Sequence, residues 1–162
     1  LIPTPEWKKK VKNEAWFLGN TYHFAIGQGD VAVSPIEVNR AIEIVANRGQ
    51  ICQPKIVGTP KCVNLNFKKE TLGLVRVGME GVCSEGGTGY TFFDWNSHIA
   101  CKTGTAETNE DGKTHAWFTL FYPSDFPEIT LTVLVEGGGE GSSVAGPVAR
   151  KIMDYWVTKG SI

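Results

Sequence analysis

The 162-residue sequence contains no apolar run approaching the roughly 18 residues that a membrane-spanning helix requires, so no span of that kind is expected in it. It has almost no charge imbalance. Sixteen lysines and arginines against seventeen aspartates and glutamates leave a net charge of −1. That balance argues against a general electrostatic grip on nucleic acid or anionic lipid. The one dense basic cluster, WKKKVK at 7–12, is read as a solvated face. There is no Cys-x-x-Cys pair, and His23, His98 and His115 are dispersed, so neither a zinc site nor any other metal or cofactor is expected. Cys52, Cys62, Cys83 and Cys101 allow three complete disulfide pairings, or buried free thiols. If any pair forms, Cys52 with Cys62 is favoured, because the two flank a short extended stretch. The chain has no initiating methionine, and prolines 3 and 5 stand where the apolar region of a signal peptide would lie. It is therefore expected to be a piece of something longer.

What is present is an ordinary globular composition: 41% hydrophobic and 20% charged residues, in a chain long enough to bury a core. Residues 1–29 carry an irregular pattern. VSPIEVNRAIEIVANRG then predicts a helix, with Ser34 as N-cap, Pro35 in the first turn, Glu37 closing a capping box and Gly49 as the stop. Its mostly apolar face holds Ile36, Val38, Arg40, Ala41, Ile42, Ile44 and Val45. QICQPKIVG is strand-like but carries Pro54, which confines it to an edge. KKETLGLVRVGMEGVCSE predicts a second helix with Leu72, Val75, Met79 and Val82 on one side. Its glycines 73, 78 and 81 each cost up to about 1 kcal/mol relative to alanine. A glycine-rich loop, EGGTGYTFFDWN, follows.

Three strand signals come next: HIACKTGTAE, HAWFTLFYP and EITLTVLVEGG. Short links, TNEDGKT and SDFPE, make them an antiparallel meander. EGGGEG reads as a flexible connection to a last helix near Pro147, whose stripe is Val148, Ile152, Met153 and Trp156. The expected class is α+β, an antiparallel sheet with covering helices.

Two nucleotide or nucleophile motifs fail on order. A phosphate-cradling loop needs glycines ahead of its lysine, whereas Ala100 and Cys101 precede Lys102. Ser84 has the spacing G-x-x-S-x-G, and Ser143 meets Ala145 where G-x-S-x-G requires glycine, so both read as helix-end residues. What remains is the triplet Lys102-Thr103-Gly104, continued by Thr105, on the first of the three strands.

CKTGTAE resembles the Lys-Thr-Gly motif of penicillin-binding proteins and serine β-lactamases. Its surroundings, in the order LIPTPEWKKK, LGNTYHFAIGQGDVAVSPIEV, EGGTGYTFFD, CKTGTAE and HAWFTLFYP, resemble the transpeptidase domain of class B penicillin-binding proteins, nearest to the penicillin-binding protein 2 type. The aromatic-rich flanks favour these transpeptidases over a β-lactamase. The resemblance covers essentially the whole chain, so residues 1–162 are expected to form the C-terminal portion of a domain of the β-lactamase/transpeptidase-like fold.

The resemblance implies a peptidoglycan D,D-transpeptidase. A serine attacks the D-Ala-D-Ala bond of a stem peptide, an amine releases the acyl-enzyme, and β-lactams acylate the same serine. It implies that Lys102 faces the cleft and supports the proton network, and that Thr103 and Thr105 bond the substrate carboxylate through their hydroxyls. Gly104 would give a substrate access to the strand edge, and the Thr105 backbone N–H would form half of the oxyanion hole. It also implies an extracytoplasmic, membrane-anchored parent with other cell-wall synthesis proteins as partners.

The departure is that no serine is followed three residues later by lysine, and no Ser-x-Asn occurs. The nucleophile, its lysine partner and the second oxyanion donor are therefore expected upstream, and the chain alone is expected to be inactive. The alternative is a non-catalytic peptide-binding or protein-interaction module of the same fold; a Ser-x-x-Lys in the upstream reading frame separates the two. Loss of the upstream helical region would bare apolar surface on the sheet and on the helix at 34–48, so the fragment is expected to be marginally stable or to self-associate.

Overall fold

The computed structural model describes residues 1–95, 98–108 and 112–159, in two compact units, 1–34 and 35–162. The expected irregularity of residues 1–29 is not what the chain adopts. Two short helices lie there, α1 (Pro5–Lys12) and α2 (Leu18–Ala25). In α1 the prolines that obscured a periodic pattern are start signals. The Thr4 hydroxyl accepts from the Trp7 N–H at 3.1 Å, Pro5 takes the first turn, and Asn13 ends the helix in the left-handed region at φ 56°. The basic cluster is not wholly solvated either: Lys8 is buried and pairs with Glu14 at 3.2 Å, and Lys12 bonds to Asp30.

The larger unit begins at α3 (Pro35–Ala46), which starts at the predicted proline. A two-stranded hairpin follows, β1 (Gln50–Cys52) with β2 (Cys62–Asn64); β1 stops short of Pro54 and is an edge strand of this two-stranded sheet. Then come α4 (Lys69–Cys83), a 3₁₀ turn (Tyr90–Phe92), and strands β3 (Ala100–Glu107), β4 (Thr114–Tyr122) and β5 (Ile129–Val135). The sheet order β3-β4-β5 is the predicted antiparallel meander, with Lys102 opposite Thr119 and Thr119 opposite Thr132. Part of the link TNEDGKT, residues 109–111, lies outside the described residues. A π-type turn (Gly141–Ala145) leads into α5 (Gly146–Lys159).

Strand alternation sorts the sheet into two faces. On one, Cys101, Ala116, Phe118, Leu120 and Val133 pack with Ala149 and Met153 of α5 and with Phe92. On the other, Ala100 and Phe121 pack with Ala46 of α3 and Met79 of α4. The helix stripes differ from the sequence expectation in detail. Ile36 and Ala41 of α3 are exposed, as are Val75 of α4 and Val148 and Ile152 of α5. Position 76 replaces 75 on the buried side of α4, and it is arginine. In α5 the core side runs through Gly146, Ala149 and Met153, the first two small enough to let the helix lie close to the sheet.

All four cysteines pair: Cys52–Cys62 across the hairpin and Cys83–Cys101 between the end of α4 and β3. The first is the favoured pair and the free-thiol alternative is overturned. The second was invisible because helix end and strand converge only through the tertiary fold.

Candidate active site

Lys102, Thr103, Gly104 and Thr105 lie in the middle of β3, and β3 has β4 on one side and no strand on the other among the described residues. The four positions therefore stand along an open sheet edge. Alternation sends Lys102 and Gly104 to the face of Ala100, and Thr103 and Thr105 to the face of Cys101. A ligand lying along the edge would meet the ammonium from one side and the two hydroxyls from the other. Lys102 is exposed, and its Nζ donates to the Thr103 carbonyl oxygen of its own strand. The row it shares, Thr119 and Thr132, is polar: the two hydroxyls lie 2.8 Å apart, and Thr132 donates to Asn39 Oδ1 of α3 at 3.1 Å.

Thr103 is half-buried, and its Oγ1 lies 2.8 Å from Thr88 Oγ1 in the glycine-rich loop. Thr105 is exposed; its Oγ1 accepts weakly from the Gly141 N–H at 3.5 Å. Gly104 is not in the left-handed region. A Cβ there would stand 3.2 Å from Trp117 Cβ, so the tight quarter beside it is its cross-strand partner.

Other candidate residues fall out as local structure. Ser84 follows α4 and its Oγ donates to the Glu80 carbonyl at 2.8 Å; Ser143 sits in the π-type turn. His23 is in α2, His115 on β4 accepts from the Gly137 N–H at 3.0 Å, and His98 stands 3.7 Å from Asp125. Among the described residues no group of three or more His, Cys, Asp or Glu side chains is placed to hold a metal. Two features were not singled out from sequence: Thr88 against Thr103, and Gly141 against β3. The glycines around each were visible, but their partners are long-range.

The family model for the penicillin-binding protein transpeptidase domain matches residues 2–154. The chain belongs to this family. Among its curated relatives is the peptidoglycan D,D-transpeptidase MrdA of Haemophilus influenzae, 34% identical over 98% of this chain and 29% of that protein. Among solved structures, the complex between penicillin-binding protein 2 and MreC from Helicobacter pylori matches with a TM-score of 0.86 at 32% identity, over 98% of this chain and 31% of that one. Penicillin-binding protein A of Mycobacterium tuberculosis, as its penicillin G acyl-enzyme complex, matches with a TM-score of 0.64 at 25% identity, over 83% and 34%. These likenesses make this transpeptidase-family member one of the penicillin-binding protein 2 type, with the α+β fold of the family. The chain spans about 30% of the length of the curated relatives it matches.

Proposed function

We propose that this chain is the Lys-Thr-Gly-bearing portion of a peptidoglycan D,D-transpeptidase. The observation that carries the reading is the placement of Lys102, Thr103, Gly104 and Thr105 on the open edge of β3, with cation and hydroxyls leaving opposite faces. A peptide ending in a carboxylate can add to such an edge as an extra strand. Lys102 would supply positive charge beside the reacting group, Thr103 and Thr105 would hydrogen-bond the carboxylate, and the Thr105 N–H would donate to the developing oxyanion. A donor of that kind is worth about 3 kcal/mol of transition-state stabilisation.

The nucleophile comes from elsewhere. With neither Ser-x-x-Lys nor Ser-x-Asn in the 162 residues, the acylated serine and its base belong to another part of the protein. The tripled length of the relatives leaves room for it. By itself the chain holds half an active site, and it carries no cofactor or metal in this reading. Three further assignments complete the proposal: the donor strand is a D-Ala-D-Ala stem peptide, β-lactams occupy the same edge, and the whole protein works outside the cytoplasm, membrane-anchored, with cell-wall partners. The H. pylori relative is in complex with MreC, which is the kind of partner meant. No helix described here is long and apolar enough to cross a membrane, so the anchor is assigned to other segments. Exposed Ile36, Leu74 and Val77 on the helices support self-association of the isolated chain, which sedimentation would detect as a concentration-dependent mass.

Intact-protein mass after incubation with a penicillin tests the reading, run on this chain and on the product of the full reading frame. The expected result is no adduct on the 162-residue chain and one covalent β-lactam on the longer product. An adduct on the short chain would overturn the missing nucleophile. No adduct on the longer product would overturn transpeptidation in favour of a non-catalytic peptide-binding module.

A further inference from the structure

The loop between α4 and the 3₁₀ turn is built to hold one side chain against β3. Helix α4 ends at Cys83, whose sulfur is bonded to Cys101, the residue immediately before Lys102. Both cysteines are buried. From there the chain folds back on itself: the Gly87 N–H donates to Ser84 O at 2.9 Å and the Gly89 N–H to Val82 O at 2.8 Å. Glycine is required at both positions. A Cβ at Gly87 would stand 2.3 Å from the carbonyl oxygens of Gly81 and Val82, and one at Gly89 would stand 2.7 Å from Cys101 Sγ. Thr88 lies between them, and its hydroxyl meets that of Thr103 at 2.8 Å.

We propose that the Cys83–Cys101 disulfide and the 84–89 loop it clips to β3 form a positioning clamp. Through Thr88, this clamp turns the Thr103 hydroxyl proton toward a ligand carboxylate. A threonine hydroxyl has one proton to donate and lone pairs that accept. Two hydroxyls in contact share one hydrogen bond, and in the free protein either can be its donor. Once Thr103 gives its proton to a carboxylate, its oxygen can only accept from Thr88. The order is then Thr88 to Thr103 to carboxylate, and each bond polarises the next. Without Thr88 the Thr103 hydroxyl loses the partner that fixes its rotation. Thr88 and Cys83 are positioning residues; neither touches the reacting atoms. The inference rests on the proposed function, since Thr103 needs a carboxylate to address.

The test is the second-order rate constant for acylation of the full reading-frame product by a penicillin and by its methyl ester, which lacks the carboxylate. Thr88→Val is expected to slow the penicillin about fivefold, the equivalent of one ordinary hydrogen bond, and to leave the ester nearly unchanged. Thr88→Ser should restore the wild-type rate. In a Thr103→Ala background Thr88→Val should do nothing further, and Cys83→Ala with Cys101→Ala should reproduce the Thr88→Val loss. If the cysteine pair is too unstable to assay, the Thr88 and Thr103 variants decide the matter. A Thr88→Val rate equal to wild type, or an equal loss with the ester, overturns the clamp while Thr103→Ala still impairs the penicillin. A harmless Thr103→Ala, or a wild type that is not acylated at all, overturns the functional reading itself, and the clamp with it.

Discussion

Gly141 lies so close over Gly104 that a Cβ on Gly141 would stand 2.4 Å from the Gly104 carbonyl oxygen, and 2.3 Å from that of Trp117. Both contacts are with backbone of the β3–β4 pair, which cannot yield without bending β3 away from β4. The glycine-rich segment before α5 is therefore a support for the Lys-Thr-Gly strand as well as a connection. Gly141→Ala is expected to destabilise the fold by about 1–3 kcal/mol, the usual cost of overpacking. In a chain of this size that lowers Tm by several degrees. An unchanged melt would mean that the turn relaxes freely and gives β3 no support.

The opposite outcome is expected in α4. Nothing lies within 4 Å of a Cβ built on Gly73 or Gly78, and neither has a positive φ. Alanine there removes chain freedom from the unfolded state and adds helix propensity. Each substitution should stabilise by about 0.5–1 kcal/mol, and the two together nearly additively. Chemical denaturation of the single and double variants checks it; a loss of stability would show that the helix uses these glycines for close approach to something else.

Arg76 ties three elements together. Its guanidinium donates to the carbonyls of Val45 at 3.1 Å and Ala46 at 2.8 Å, closing the end of α3, and to that of Ser124 after β4. It also lies over the Phe121 ring at 5.0 Å. Burial, and secondarily the charge of Arg48, pull its pKa below the ordinary value, yet arginine stays protonated throughout the working range. Arg76→Met leaves buried carbonyls without a donor and is expected to cost about 3 kcal/mol or more in denaturant unfolding. Arg76→Lys should recover only part of this, because an ammonium cannot fork between two chain segments. Full recovery by lysine would show that charge alone matters.

Arg76 also marks where sequence reasoning stops. The meander, the start of α3 at Pro35 and the span of α4 were legible because local period, caps and short links all pointed one way. The faces were less so. Periodicity assigned Val75 to the core side of α4, but the carbonyls at the end of α3 need a donor, and the helix turns Arg76 toward them. In α5 the bulky Val148 and Ile152 looked like a stripe, while close approach to the sheet selects Ala149 and Gly146. The strand carrying Lys102 was legible from its triplet. Its supports, Thr88, Gly141 and the Cys83–Cys101 bond, were not, because each is a contact between residues distant in the chain.

Removing the Cys52–Cys62 bond separates a local clip from the clamp at β3. It closes a loop of sequence separation 10 across a hairpin whose outer loop exposes Ile56 and Val57. Loop-closure entropy assigns it about 2–3 kcal/mol. Cys52→Ala with Cys62→Ala is expected to lower Tm accordingly. Hydrogen exchange should rise in residues 50–64 and stay unchanged along β3. Faster exchange in β3 would mean that the hairpin disulfide supports the candidate site after all.

The last expectation concerns pH. Arg150 of α5 reaches back to the turn before β3, donating to the Thr91 carbonyl at 2.7 Å and to Asp94, with the rings of Phe92 and Trp95 beneath it. The hydrogen bond from Arg150 is the main cause holding the Asp94 carboxyl below its ordinary value of 3.8. A carboxylate whose folded pKa is depressed binds its proton less readily than in the unfolded chain. Its contribution is therefore complete above the unfolded value and is lost as pH falls through the folded one. Asp94 is exposed, so the effect is modest and weakens with salt. Asp94→Asn should melt below wild type at pH 6 in low salt. The two curves should converge once the pH has fallen through the folded value and the wild-type carboxyl is itself protonated. A gap that survives at that pH would assign the difference to shape or packing at residue 94, and no gap at pH 6 would mean that the Thr91 bond and the aromatic rings alone hold Arg150 in place.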